Sequence, residues 1–289
     1  MYRPDIEDII LAHDTRRMSA LRPFLPIDFV LEAGRFLLAN PGPALIVTGF
    51  YILGAGASET DGPPGATALG SALRSLGRDV AYVTDKFSNK IVEAVVEGES
   101  VIEFPLAGQS ESEAYAAELI SRFRPGLIIA VERAGLTGDG TYRNREEADI
   151  SDYNAKTDCL FQRHPVSLGI GDGGNEIGMG NLRDEIASVE GLTSNPCVTT
   201  TSRLIISSCS NWGAYGLVAA LSMQTGRNLL PSVELGAARV RRCVEAGAVD
   251  GMTGEREDSV DGRSLEEDAF CLKSLQDWLE RGPEPKILI

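Results

Sequence analysis

Short, nearly continuous apolar runs recur along the chain, each bounded by glycine, proline or acidic residues. They fall at 44–48, 79–84, 101–104, 126–131, 167–170 and 204–207, the third being the weakest. Runs this short that are apolar at successive rather than alternate positions predict strands buried on both faces. Between them the period lengthens. Leu69, Leu73 and Leu76 stand at helical spacing within 67–76, and 111–122 and 212–225 read the same way. Buried strands alternating with amphipathic helices predict an α/β fold: a Rossmann-like, doubly wound, mostly parallel sheet with helices on both faces.

The ends of the chain carry a different pattern. Residues 1–40 predict an N-terminal helical segment, clearest over 28–39 and stopped by Asn40-Pro41-Gly42-Pro43. Residues 41–289 read as one compact α/β unit with that segment packed on it. Beyond Pro231 the expectation is a helix over 234–246, an acidic loop over 249–263 and a last helix over 264–281.

Composition narrows the function. With 27 basic and 42 acidic residues the net charge is −15 and the pI about 4.6. Nucleic acid and anionic membrane surfaces are poor partners for such a chain, because both demand a basic face. The longest apolar run, 44–57, is broken by glycines and predicts no membrane span. The five cysteines are odd in number and form no C-x-x-C pair, which fits a reducing compartment. No signal or transit sequence is evident at the N-terminus. The expected location is the cytoplasm, and the reading allows a homo-oligomer.

Candidate chemistry gathers after the strands, where open parallel sheets bind their ligands. Glu59-Thr60-Asp61 follows the first strand, with Gly62-Pro63-Pro64-Gly65 stiffening the turn behind it. This stretch could aim acids at a ligand, or Asp61 or Thr67 could cap the next helix. Glu132-Arg133 follows the fourth strand and could hold both ends of a zwitterion, or form an internal ion pair. The fifth runs into Gly171-Asp172-Gly173-Gly174-Asn175-Glu176, a carboxylate and amide set suited to a hard divalent cation or an amine. Asn211 opens a helix as its N-cap or as part of a carboxylate site. His13 and His164 are the only histidines and lack partners at catalytic spacing, so Ser-His-Asp chemistry and a histidine zinc site are poorly supported. Gly54-x-Gly56 and Gly171-x-Gly173 both fail the dinucleotide fingerprint. Each places a glutamate, Glu59 or Glu176, where the last glycine should stand.

Five motifs, in order, resemble the D-glutamate cyclase family, more narrowly its C-terminal domain. They are Glu59-Thr-Asp-Gly-Pro-Pro-Gly-Ala66, Val131-Glu-Arg-Ala-Gly135, Gly140-Thr-Tyr-Arg-Asn144, Gly169-Ile-Gly-Asp-Gly-Gly-Asn-Glu-Ile-Gly-Met-Gly-Asn181 and Ser210-Asn-Trp-Gly213. The resemblance spans roughly residues 40–265. It implies a Rossmann-like fold and reversible conversion of D-glutamate to 5-oxo-D-proline with loss of water, the substrate being a small acidic amino acid. Cyclisation needs a base for the amine, an acid for the departing oxygen and a hold on the α-carboxylate. On that basis Glu59 or Asp61 takes one acid–base role and Asp172 or Glu176 the other. Arg133 is expected to bind the α-carboxylate, with Thr60, Glu132, Gly173, Gly174, Asn175 and Asn211 lining the substrate. A divalent cation, Mg or Mn, could be shared by Asp61, Asp172 and Glu176 to relieve their mutual repulsion. The competing expectations are a sensor that binds a small acid without turning it over, and a lyase or hydrolase for another small acid.

Overall fold

The computed structural model describes residues 4–282. Six strands form the central sheet: β1 (Ala44–Thr48), β2 (Val80–Thr84), β3 (Ser100–Glu103), β4 (Leu127–Val131), β5 (Ser167–Gly171) and β6 (Arg203–Ile206). Their order is β3-β2-β1-β4-β5-β6 and every pairing is parallel. This is the doubly wound arrangement, with the direction of winding reversing between β1 and β4. β1, β2, β4 and β5 are buried at every residue, as their continuous apolar character requires. β3 lies at the edge and is exposed at both ends, which explains its weaker pattern.

The two faces of the sheet build two cores, because successive strand residues point to opposite sides. Ala44, Ile46, Tyr82, Leu127, Ile129 and Ile170 join the larger core. Helices α2 (Phe29–Ala39), α3 (Pro63–Ser75), α8 (Ser210–Thr225) and α10 (Leu265–Arg281) supply its other wall. Leu45, Val47, Ala81, Val83, Ile128 and Ala130 face the other way, toward α5 (Gln109–Phe123) and α6 (Asp158–Arg163). The remaining helices are α1 (Ile6–Ile10), α4 (Asn89–Val95), α7 (Arg183–Ser188) and α9 (Val233–Ala246).

The N-terminal segment divides into α1, a 3-10 stretch over Met18–Phe24 and α2. Ile6, Ile9 and Ile10 of α1 are buried in the larger core, and Ile10 packs on Gly216 of α8. α3 begins at Pro63, four residues before the predicted start. Prolines are tolerated in the first turn, where their missing N–H groups have no helical partner. Two short hairpins were not foreseen: Tyr51–Ile52 with Ala57–Ser58, and Ser259–Val260 with Arg263–Ser264. All five cysteines are buried and unpaired. Among the described residues no helix is long and apolar enough to cross a membrane.

Candidate active site

A cavity of about 490 Å³ opens at the carboxyl ends of the strands. Glu59, Glu132, Asp172, Asn175 and Glu176 line it, together with Arg16 and residues 251–255. Residues remote along the chain therefore meet there. Carboxylate oxygens of Asp61, Glu132 and Asp172 lie within 4.8 Å of one another.

Each acid is held differently. Asp61 lies beneath the cavity at the start of α8. Its Oδ2 accepts from Ser210 N at 2.8 Å, and its Oδ1 from Asn211 N at 2.8 Å and Gly62 N at 2.9 Å. Glu132 leaves β4 with a φ of 45°, in the left-handed region, and its Oε2 accepts from Ser210 Oγ at 2.5 Å. Non-glycine residues held in that region are concentrated at functional sites. Glu59 sits against Gly251, where a β-carbon would overlap Glu59 Oε2 and push the carboxylate aside.

Arg16 is the central cation. Its Nη1 donates to Asp172 Oδ1, and its Nη2 to Asp261 Oδ1 at 2.7 Å. Arg16 reaches the site from the loop between α1 and the 3-10 stretch, Asp261 from the turn of the C-terminal hairpin. Neither was singled out from the sequence. Asp172 Oδ2 and Asp261 Oδ2 are buried without a hydrogen-bond partner.

So many buried acids cannot all be ionised. Burial, reinforced by neighbouring carboxylates, pushes Glu59 and Glu132 well above the usual carboxylate range. Burial likewise pushes Asp61, Asp172 and Asp261 up to about 7, against the opposing field of Arg16. Burial works against the charge of Arg16, but Asp172 and Asp261 outweigh it and raise its proton affinity well above normal. Asp61, Asp172 and Asp261 are thus poised near neutrality, the condition for general acid–base work, while Glu59 and Glu132 are biased toward the protonated form.

Several residues stand elsewhere than the sequence suggested. Arg133 points away from the cavity, donating to Gly49 O at 2.8 Å, Asp85 Oδ2 at 2.5 Å and Ala155 O at 3.1 Å. It is the internal ion pair, and its hydrogen bonds tie β4 to the loops after β1 and β2. Glu176 folds back on its own loop. Its Oε1 accepts from Asp172 N at 2.9 Å and Gly173 N at 2.5 Å, and its Oε2 from Gly174 N at 2.8 Å. The amides of Gly173 and Gly174 are therefore already taken, and Glu132 stands in the carboxylate trio where Glu176 was expected. Thr60 is buried, its hydroxyl donating to Ser259 O at 2.7 Å. Asn175 donates to Arg143 O at 3.1 Å and lines the cavity. Asn211 is not the N-cap of α8, a position held by Cys209. Its Oδ1 instead accepts from Gly62 N at 3.1 Å and Gly65 N at 2.7 Å, at the start of α3. Asp61 in turn serves α8 rather than α3, and Thr67 bonds to Pro63 O and Pro64 O. His164 is tied to Val166 O and Pro125 O, and His13 packs edge-on against Trp212 and Phe270.

Fold and cavity together define a Rossmann-like α/β protein with an acid-lined cleft at the carboxyl ends of its strands. Residues 6–276 match the family model described as D-glutamate cyclase-like, C-terminal, and the chain belongs to that family. The match takes in most of the N-terminal segment as well as the sheet. The chain is also 33% identical over 204 residues to the human protein named D-glutamate cyclase, mitochondrial. That alignment covers 64% of this chain and 33% of the human protein, so the chain spans about a third of the length of that relative.

Proposed function

We infer that the protein interconverts D-glutamate and 5-oxo-D-proline within this cavity. The observation that carries the reading is the group of buried carboxyls around Arg16, all raised above the usual carboxylate range, with Asp172 pushed up to about 7. The family and the name of the human relative supply the substrate.

Ring closure joins the amine nitrogen to the γ-carboxyl carbon. The ammonium gives up two protons, the carbon–oxygen bond breaks, and the oxygen departs with both protons as water. Asp172, held by Arg16, is suited to accept a proton from the amine. Glu132 and Glu59, in which burial favours the protonated form, are suited to deliver one to the departing oxygen. In the reverse direction the roles exchange. Asp61 contributes mainly through its hold on α8, since both its oxygens accept backbone hydrogen bonds.

The oxygen trio of Asp61, Glu132 and Asp172 also suits Mg or Mn, and the unpartnered Asp172 Oδ2 leaves a lone pair free for it. Such an ion would share Asp172 with Arg16 and relieve repulsion among the acids.

The test is incubation of the protein with D-glutamate, L-glutamate and 5-oxo-D-proline, followed by chiral chromatography, with and without chelator. Formation of 5-oxo-D-proline from D-glutamate is the expected result. Stabilisation by either compound without conversion would reassign the protein as a binder of small acids, and loss of conversion on chelation would establish the ion.

A further inference from the structure

An acidic substrate needs a cation to receive its carboxylate, and Arg133 cannot serve. It is buried away from the cavity, with Nη1 and Nη2 committed to Gly49, Asp85 and Ala155 and Nε enclosed in the interior. Arg16 is committed to Asp172 and Asp261. One other arginine, Arg145, lines the cavity. It is half-buried, and its one polar contact among the described residues is Nη1 to Met252 Sδ at 3.7 Å. Glu146 and Glu255 also line the cavity, yet neither is ion-paired with it.

The backbone around Arg145 is fixed. Asn144 N donates to Ala148 O at 3.1 Å, Glu147 N to Asn144 O at 3.0 Å, and Ala148 N to Asn144 Oδ1 at 2.8 Å. Glu147 closes this turn at a φ of 64°, and its carboxylate accepts from Ser194 N at 2.8 Å and Ser194 Oγ at 2.7 Å. The hydrogen bond from Asn175 to Arg143 O ties the turn to the glycine-rich loop that carries Asp172. A rigid turn thus presents an unpaired, forked donor to a cavity floored by acids. A guanidinium so placed can take a carboxylate through two parallel hydrogen bonds.

We propose that Arg145 is the receptor for the ligand's carboxylate, and that it selects amino acids and lactams bearing a carboxylate over those without one. The proposal rests on the reaction inferred above for the choice of ligand, but its test does not depend on turnover. Binding of 5-oxo-D-proline, 2-pyrrolidinone (the same ring without the carboxylate) and glutarate is measured by calorimetry on wild type, Arg145→Met and Arg145→Lys. Arg145→Met should weaken 5-oxo-D-proline and glutarate about 10- to 100-fold, the usual worth of a charge-assisted hydrogen-bonded pair. Arg145→Lys should fall between, and 2-pyrrolidinone should bind all three proteins alike. Since Arg145 has no ion pair to lose, the unfolding midpoint should not move. Equal binding of the carboxylates by wild type and Arg145→Met, or no binding of them by wild type, overturns the proposal. Turnover of D-glutamate is followed in parallel. A wild type that cyclises D-glutamate with Arg145→Met unchanged in KM sinks the role of Arg145 alone. A wild type that binds carboxylates through Arg145 but forms no product sinks the reaction alone.

Discussion

Asp61 and Asn211 cap each other's helices. Asp61, just before α3, accepts from the first two amides of α8, while Asn211, in the first turn of α8, accepts from Gly62 N and Gly65 N at the start of α3. The two N-termini meet closely because residue 65 is glycine. A β-carbon there would lie 2.7 Å from Asn211 Cα. Both positive helix ends are thereby aimed at the acid cluster.

Replacing Asn211 with alanine should strand the buried amide of Gly65, while Gly62 N keeps Asp61 Oδ1, and cost about 2 kcal/mol. Urea unfolding should show a lower midpoint at an unchanged slope. Asn211→Asp keeps the acceptor but adds a carboxylate beside Asp61, so its loss should be larger at pH 8 than at pH 5.

Arg16→Met should remove the cation shared by Asp172 and Asp261 and leave two buried carboxyls facing each other. Breaking a buried pair in this way costs about 3–5 kcal/mol. The deficit should shrink at pH 5, where both carboxyls can be neutralised by protons. A deficit independent of pH in paired unfolding curves would mean that packing, rather than charge, is what Arg16 contributes.

The whole protein should lose stability as the pH rises from about 4 to about 7. Asp61, Asp172 and Asp261 titrate near 7 in the folded state, against an ordinary value near 4 in the unfolded chain. Over that window the native state binds more protons than the unfolded one, so the contribution of these groups is complete at the acidic end and gone above the upper end. Thermal midpoints at pH 5.5 should exceed those at pH 8 (both values set by that window). Asp261→Asn should flatten the difference.

Glu132→Gln should lower turnover of D-glutamate by about 100-fold or more, the usual worth of a proton donor. Because glutamine can still accept from Ser210 Oγ, folding should survive, and a preserved melting curve alongside the rate measurement makes the comparison clean.

What the sequence made legible is what the sheet itself determines. Apolar runs located the six strands, and parallel topology put the residues after them on one side. Asp61, Glu132 and Asp172 could be expected together for that reason. Arg16 and Asp261 could not, because they belong to a loop and a hairpin turn whose positions are set by docking rather than by periodicity. Glu132 and Arg133 show a second limit. They are adjacent in sequence, yet one faces the cavity and the other the interior, a difference that depends on the local backbone at Glu132. The glycine-rich loop shows a third. Composition marked it as a cradle for a ligand, whereas its amides fold around its own Glu176.

The contact from Arg16 to Asp172 and Asp261 joins residues 156 and 245 positions apart along the chain. The sheet can pair its strands without it, but the cleft cannot balance its charge until both outlying segments have docked. Competence is therefore tied to the finishing of the fold. A nascent or nicked protein that has its strands in order would carry the acids and still lack the means to keep them working.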